Sequence, residues 1–372
     1  MFVIDGIGTA TPQHSITQED AADILQGLFQ QNSGAGGTST RAREQTIYEK
    51  AGVSTRYSVL LHSSKNGESA RQDFYSPARS AVDFGPSTET RMRRYEVEAG
   101  PLVVQAARAA LQDADCDPRQ ITHLITASCS GFTAPGVDLT IIQELGLPLD
   151  TLRTHIGFMG CHAVINALRV AQAFAASNPQ ACVLICAVEL CSLHHQYGER
   201  IDQIIANALF ADGAAALVGR DHASYRPHRW AVRATGSTLI PDTADYLSWH
   251  IRDHGFEMRL SPRLPVTIQQ KLRPWFESWL ASNNLTLSEI GSWAIHPGGP
   301  RVLQACGTAL GLGAESLLAS EQVLARYGNM SSPTVVFILE QLRKSGARPP
   351  CVMLAFGPGL AVEAALLMEA GD

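Results

Sequence analysis

The chain has 372 residues, 45% hydrophobic and 17% charged, with a net charge of −6. Against a usual ~25% charged, this implies much buried surface and excludes a disordered chain. With 29 Lys+Arg against 35 Asp+Glu, no strongly basic total draws the protein to nucleic acid or to an anionic membrane. Eight cysteines with no C-x-x-C pair fit neither a disulfide scaffold nor a zinc ribbon. No apolar run reaches the ~18 residues of a membrane span and no signal-peptide pattern opens the chain, so a soluble, cytoplasmic protein is expected.

In chain order, residues 2–12 (FVIDGIGTATP) read as a strand running into a loop. A helix is expected next, with Thr17 as N-cap and an end near Gln31. Residues 32–40 read as loop by composition. Residues 41–57 are polar and basic, with Arg43, Lys50 and Arg56. Loop and short helix are expected over 62–90, and apolar spacing is helical from Tyr95 to Asp113. The basic run Arg91, Arg93, Arg94 reads as a solvated helix face. A strand into a small-residue loop follows in ITHLITASCSG. Gly6-Ile7-Gly8 lacks the third glycine of a dinucleotide fingerprint.

The most informative feature is an internal repeat. ITHLITASCSG at Ile121 matches IGSWAIHPGG at Ile290, 169 positions later. GFMGCHAVINALRVA matches GNMSSPTVVFILEQL, with Met159 and Met330 separated by 171. ACVLICAVE matches PCVMLAFGP, with Cys182 and Cys351 again 169 apart. Each unit reads strand, loop, helix, strand. The chain is therefore read as an α/β protein of two duplicated halves, residues 1–228 and 229–372, whose equivalent loops a pseudo-twofold axis would bring face to face.

Three residues in those loops suit chemistry. Cys161 precedes a helical run from His162 to Ala176, where unpaired N–H groups and the helix dipole would lower a thiol pKa. His296 ends the strand SWAIH at a stiff Gly/Pro loop, the carboxyl end where α/β sheets gather ligands. Asn329 opens the matching segment of the second half, a position that an ordinary helix N-cap would also explain. Together they offer a thiolate nucleophile, an imidazole and an amide donor for a developing oxyanion. Cys182, Cys186, Cys191, His194 and His195 are read as strand and loop residues rather than a metal site, and His162 as a helix-start residue rather than a second base.

The segments GFMGCHAVINALRVA, WAIHPGGPRVL, YGNMSSPTVVFILE, FGPGL, GIGTATP and ALFADGAAALVG resemble the chalcone-synthase-like type III polyketide synthases, in order over residues 2–368. The resemblance implies a thiolase fold with a five-layered αβαβα core, a homodimer, and CoA thioesters as substrates with no metal or other cofactor. It implies that Cys161 accepts the starter acyl group from an acyl-CoA. His296 and Asn329 would hold the thioester carbonyl of malonyl-CoA during decarboxylation. Phe210 would gate the pocket, Gly357-Pro358-Gly359 would shape it, and Ser130 and Ser331 would line it. Arg43, Lys50, Arg56 and Arg301 would meet the CoA phosphates.

The chain departs from the plant pattern at several pocket positions. Met258 stands where plant enzymes have a second gating phenylalanine, and Trp249 where they have a glycine. Cys191 and His194 fall near pocket threonines, and Ala134 near a methionine that reaches the partner's cavity. Trp249 would close one lobe, while Ala134, Cys191 and Met258 would open another for a long acyl chain. The expected product is therefore a resorcinol, pyrone or other aromatic polyketide rather than a chalcone or stilbene. An acyl carrier protein is an alternative donor of the starter. A single-round ketoacyl-carrier-protein synthase and a papain-like cysteine hydrolase are the competing readings.

Overall fold

The structure, a computed structural model, describes the chain except residues 30–36, 63–70, 81, 222–228 and 372. The first half runs β1 (Phe2–Ala10), β2 (Ser15–Thr17), α1 (Gln18–Phe29), α2 (Gly37–Glu49), β3 (Thr55–Tyr57), α3 (Thr88–Asp113), β4 (His123–Ser128), α4 (Val137–Leu145), β5 (Leu152–Gly157), α5 (Ala163–Ser177), β6 (Cys182–Leu190), α6 (Ile201–Leu209) and β7 (Asp212–Asp221). The second runs β8 (Trp230–Leu239), β9 (Leu247–Arg252), β10 (Gly255–Leu260), α7 (Leu264–Ser282), β11 (Ser292–Ile295), α8 (Pro300–Leu310), α9 (Ala314–Tyr327), α10 (Thr334–Lys344), β12 (Cys351–Gly357) and β13 (Ala361–Glu369).

The sequence repeat is visible as matched pairing. β4 runs parallel to β6, which is antiparallel to β7, which is antiparallel to β1. Likewise β11 runs parallel to β12, which is antiparallel to β13, which is antiparallel to β8. The two sets join where Phe2–Ile4 of β1 pair with Trp230–Val232 of β8, giving the strand order β11-β12-β13-β8-β1-β7-β6-β4-β5.

Side chains alternate between the faces of each strand. Val183, Ile185 and Ala187 of β6, with Cys351, Met353 and Ala355 of β12, enclose α5 and α10 in one shared core. Cys182, Leu184, Cys186 and Val188 face outward onto α3 and α4. Val352, Leu354 and Phe356 face outward onto α7 and α8. These are the five layers α, β, α, β, α. Strands buried on both faces read as unbroken apolar runs, which is why Cys182 and Cys186 sit inside one. Gly6 and Gly8 serve packing: a Cβ there would lie 2.1 Å from the Ala110 carbonyl oxygen and 2.2 Å from that of Ala106. α3 can lie on β1 only because those two side chains are missing.

Local expectations hold with corrections at the ends. Thr17 Oγ1 accepts the Asp20 N–H at 3.1 Å and caps α1, which is described as far as Phe29; the expected end near Gln31 lies outside the described residues. Of the loop expected over 32–40, residues 37–40 belong to α2 and the rest lie outside the described residues. Residue 228, the expected end of the first half, lies outside them too. α3 begins at Thr88, seven residues before the expected start, because Ser87 accepts the Thr90 N–H. The solvated face expected for Arg91, Arg93 and Arg94 is half wrong. Arg93 is exposed and paired with Glu89, but Arg91 is fully buried. Its guanidinium donates to the carbonyls of Pro86, Leu193 and His195 and to the Tyr75 hydroxyl. Among the described residues no helix is long and apolar enough to cross a membrane.

Arg91 thus ties α3 to the turn after β6. Arg91→Ala strands three carbonyls and opens a void. It is expected to lower unfolding stability in urea by about 3 kcal/mol or more, against little change for the exposed Arg93→Ala.

Candidate active site

The ends of β4, β6 and β11 open on a cavity. Cys161, His296 and Asn329 all line it, with Phe210, Met258, Trp249, Ser130, Cys191, Ser331 and Pro358. The carboxyl ends of parallel strands gather these loops.

Cys161 sits in a single 3-10 turn, Gly160–His162, ahead of α5. Gly160 has φ +75°, and a Cβ on it would lie 2.6 Å from Pro358 Cδ. A Cβ on Gly357 would lie 2.2 Å from the His162 ring. So Gly357 buttresses the nucleophile turn, Pro358 lines the cavity, and Gly359 turns the backbone at φ +114°. The helix-end argument expected a lowered Cys161 pKa. Burial instead pushes the lone thiol up to about 12, opposed by a hydrogen bond with Ser331. Desolvation of a thiolate outweighs one hydroxyl and a short helix end.

His296 follows β11, its N–H donating to the Leu354 carbonyl at 2.8 Å. It is buried, and neither ring nitrogen has a hydrogen-bond partner among the described residues. Burial and then the nearby His162 push the imidazole down to about 3. An unpartnered buried ring is poised for an incoming polar group, since leaving it unpaired is costly. His162 itself is a helix-start residue as expected, with Nδ1 2.7 Å from Asn166 Oδ1.

Asn329 is not the N-cap of α10, which starts five residues later at Thr334. Two backbone hydrogen bonds, Asn329 N–H to the Leu209 carbonyl (2.8 Å) and Ala211 N–H to the Asn329 carbonyl (2.9 Å), hold it beside Phe210. Its Oδ1 accepts the Ser331 N–H at 2.8 Å. The amide oxygen is thereby occupied, and the orientation follows for the NH₂ group.

Glu189 and Cys129 were not singled out in the sequence. Glu189 is fully buried at the end of β6. It accepts the N–H groups of Cys129 and Ser130, the Ser130 hydroxyl at 2.7 Å and the Ser332 hydroxyl at 3.2 Å. Burial raises its pKa to about 7 against those donors. Cys129 has all its polar atoms engaged. Its N–H goes to Glu189, its carbonyl accepts the Trp249 indole N–H at 2.8 Å, and its sulfur accepts the Gly160 N–H at 3.0 Å. A glutamate inside an apolar strand was the one available signal for this hub.

Trp249 pairs with Met258 across the β9–β10 ribbon. Both, with Cys191, Ala206 and Phe210, also line an adjoining cavity that reaches Ile16, Ile24 and Tyr48. His194 lines that second chamber only. Its Nε2 lies 2.6 Å from the Ser130 carbonyl, its Nδ1 accepts the Phe256 N–H at 2.9 Å, and its ring stacks on Phe256. Burial pushes it down to about 3, so it is a neutral wall. Ala134 is exposed and lines neither chamber of its own chain.

Of the basic residues, Lys50 and Arg301 line an outer vestibule that shares Leu209, Leu260, Leu264, Gly298 and Val302 with the inner cavity. Arg43 is exposed on α2, and Lys50 follows the end of that helix. Arg56 is a correction. It is buried, and its guanidinium is spent on the carbonyls of Asn207, Ala208 and Phe210 and on Gln18. It closes the end of α6 and lines the second chamber rather than the vestibule.

Residues 2–222 match the model for the chalcone and stilbene synthases, N-terminal domain, and residues 231–370 that for the C-terminal domain. The chain is 33% identical over 371 residues to the alpha-pyrone synthesis polyketide synthase-like protein Pks18 of Mycobacterium tuberculosis, covering 98% of this chain and 90% of that one. Among solved structures it resembles PKS-I of the brown alga Ectocarpus siliculosus, with TM-score 0.89 and 29% identity over 99% of this chain and 98% of that one. It also resembles the C-terminal type III polyketide synthase domain of Steely1, a type I/III hybrid from Dictyostelium, with TM-score 0.86 and 26% identity over 99% of each.

Glu189→Gln would turn an amide NH₂ toward converging donors. It is expected to cost about 2–4 kcal/mol of stability in denaturant titration and to lower turnover. An unchanged midpoint with full activity would show that the carboxylate holds nothing in place.

Proposed function

The chain belongs to the chalcone and stilbene synthase family and is a type III polyketide synthase, an acyltransferase rather than a single-round ketoacyl-carrier-protein synthase; on that premise we propose that Cys161, His296 and Asn329 carry the condensation. The observation behind this reading is their convergence on one cavity, with an unpartnered His296 ring in it.

In this reading the Cys161 sulfur attacks the acyl-CoA carbonyl, the thiol proton passes to His296, the bond from the acyl carbon to the CoA sulfur breaks, and CoA leaves with that proton. Malonyl-CoA then loses carbon dioxide, and the electron pair of the broken C–C bond moves toward the thioester oxygen. Donors from His296 and the Asn329 NH₂ stabilise that enolate; removing one such donor typically costs ~10²–10³-fold. The enolate carbon attacks the acyl-Cys161 carbonyl, the C–C bond forms and the Cys161 sulfur leaves. Repetition and cyclisation complete the polyketide. CoA thioesters are the substrates, and this chemistry draws on no prosthetic group.

Lys50 and Arg301 at the vestibule, with Arg43 exposed on α2, suit the CoA phosphates. The second chamber suits the tail of a long acyl starter, because its mouth shares Cys191 and Met258 with the inner cavity. Among resorcinol, pyrone and other aromatic outcomes, a pyrone is the product this reading favours, in line with the name of the mycobacterial relative. The homodimer remains the proposed assembly. β5 is the last strand of the sheet, and Leu149 (94% exposed), Leu152 (62%) and Phe132 (52%) form an apolar set beside it. The cytoplasm, where CoA thioesters are available, is the proposed location.

Labelled malonyl-CoA with a panel of acyl-CoA starters, read by product mass, tests the reaction. Iterated products are expected from the wild type and none from Cys161→Ala; hydrolysis alone would contradict the reading. Trp249→Gly removes the wall between the chambers and is expected to change the accepted starter or product length, whereas an unchanged spectrum would remove the pocket argument. In His296→Ala, Cys161 loses its proton acceptor. Acyl transfer from acyl-CoA to Cys161 is expected to slow by about 10²-fold or more, and an unchanged rate of acyl labelling would separate the two residues.

A further inference from the structure

Cys116 and Cys182 lie on the outward face of the first sheet and serve no step of the condensation. Cys116 sits in the turn that ends α3, its N–H donating to the Leu111 carbonyl at 3.0 Å. Cys182 opens β6 and is clamped by Thr122. The Thr122 hydroxyl accepts the Cys182 N–H at 2.9 Å, and the Thr122 N–H donates to the Cys182 carbonyl at 2.9 Å. The two sulfurs are 3.9 Å apart. Arg220, opposite Cys182 on β7, donates from Nη2 to the Cys116 sulfur at 3.1 Å, and its Nε lies 3.2 Å from Asp5 Oδ2. So one sulfur has both a cation and a second thiol in contact.

We propose that Cys116 and Cys182 form an oxidisable dithiol, with Cys116 the hydroperoxide-reactive thiolate and Cys182 the resolving thiol. The electrostatics agree with the geometry. The hydrogen bond from Cys182, and then the Arg220 charge, bring Cys116 down to about 7 despite burial. Cys182 is pushed up by the same contact. The other six cysteines are all raised, with burial the largest cause. The pair is therefore asymmetric, as attack followed by resolution requires.

In the first step the Cys116 thiolate attacks one peroxide oxygen. The S–O bond forms, the O–O bond breaks, and the leaving oxygen takes a proton as water or alcohol. Sulfur is oxidised by two electrons and the peroxide is reduced by two. In the second step the Cys182 sulfur attacks the Cys116 sulfur. The S–S bond forms, the S–O bond breaks, and hydroxide leaves with the Cys182 proton as water. With Cys182 held by Thr122, the Cys116 turn supplies the movement. The bond would staple α3 to β6, about 23 Å along the strand from Glu189, and a dithiol reductant would reverse it.

The test uses the full-length wild-type protein, treated at pH 7 with hydrogen peroxide near stoichiometry, blocked with iodoacetamide, digested and mapped by mass. A Cys116–Cys182 linked peptide that disappears with dithiothreitol is expected. In Cys182→Ser, dimedone is expected to label Cys116. Arg220→Gln is expected to slow cross-linking severalfold, because removing the cation beside Cys116 lowers its thiolate fraction. Arg220→Lys, which keeps a cation, is expected to retain most of the rate and guards against a folding defect in the first variant. Recovery of both cysteines free while other thiols oxidise would overturn the proposal, as would cross-linking at an equal rate in Arg220→Gln.

Discussion

The site depends on one buried carboxylate. Glu189 sits where β6 ends, and both its oxygens are taken by donors from separate parts of the chain. Three come from the loop after β4 and one, the Ser332 hydroxyl, from the turn before α10 in the other half. A carboxylate in an apolar interior is tolerated only when its lone pairs are filled. Satisfying Glu189 therefore requires the two halves to be in register. Cys129 passes that register on: its N–H is held by Glu189 and its sulfur holds Gly160, the residue before Cys161. The position of the nucleophile is set from beneath by polar contacts and from above by Pro358.

Around that hub the protein keeps its thiol and imidazole neutral, and the imidazole has no partner among the described residues. Burial disfavours charge on both the Cys161 thiol and the His296 imidazole. The empty hydrogen-bonding capacity of His296 is a cost that a substrate carbonyl relieves. A resting site of this kind favours a reaction in which charge appears on the substrate and is met by fixed donors, as in decarboxylative condensation.

Much of this was legible in the sequence, and the rest was not for a physical reason. The repeat near offset 170 gave the matched sheets, because core strands and helices report their periodicity locally. It also placed Cys161, His296 and Asn329 together, because equivalent loops of a duplicated fold meet. The errors concern charges. Arg91 read as a solvated residue and Arg56 as a phosphate contact, yet both are buried. Their partners are backbone carbonyls up to 154 positions away, which sequence spacing does not display. Glu189 was passed over for the same reason, its Ser332 partner lying 143 positions on. The expected low pKa of Cys161 failed because a helix end is visible in sequence and the depth of burial is not.

The most direct measurement is a peptide map of the enzyme quenched after mixing with a long-chain acyl-CoA and no malonyl-CoA. The account predicts one thioester-linked acyl group, on the peptide carrying Cys161, released by hydroxylamine and discharged when malonyl-CoA is added. An acyl group on Cys129 or Cys191, which line the same cavity, or no adduct while product still forms, would contradict it.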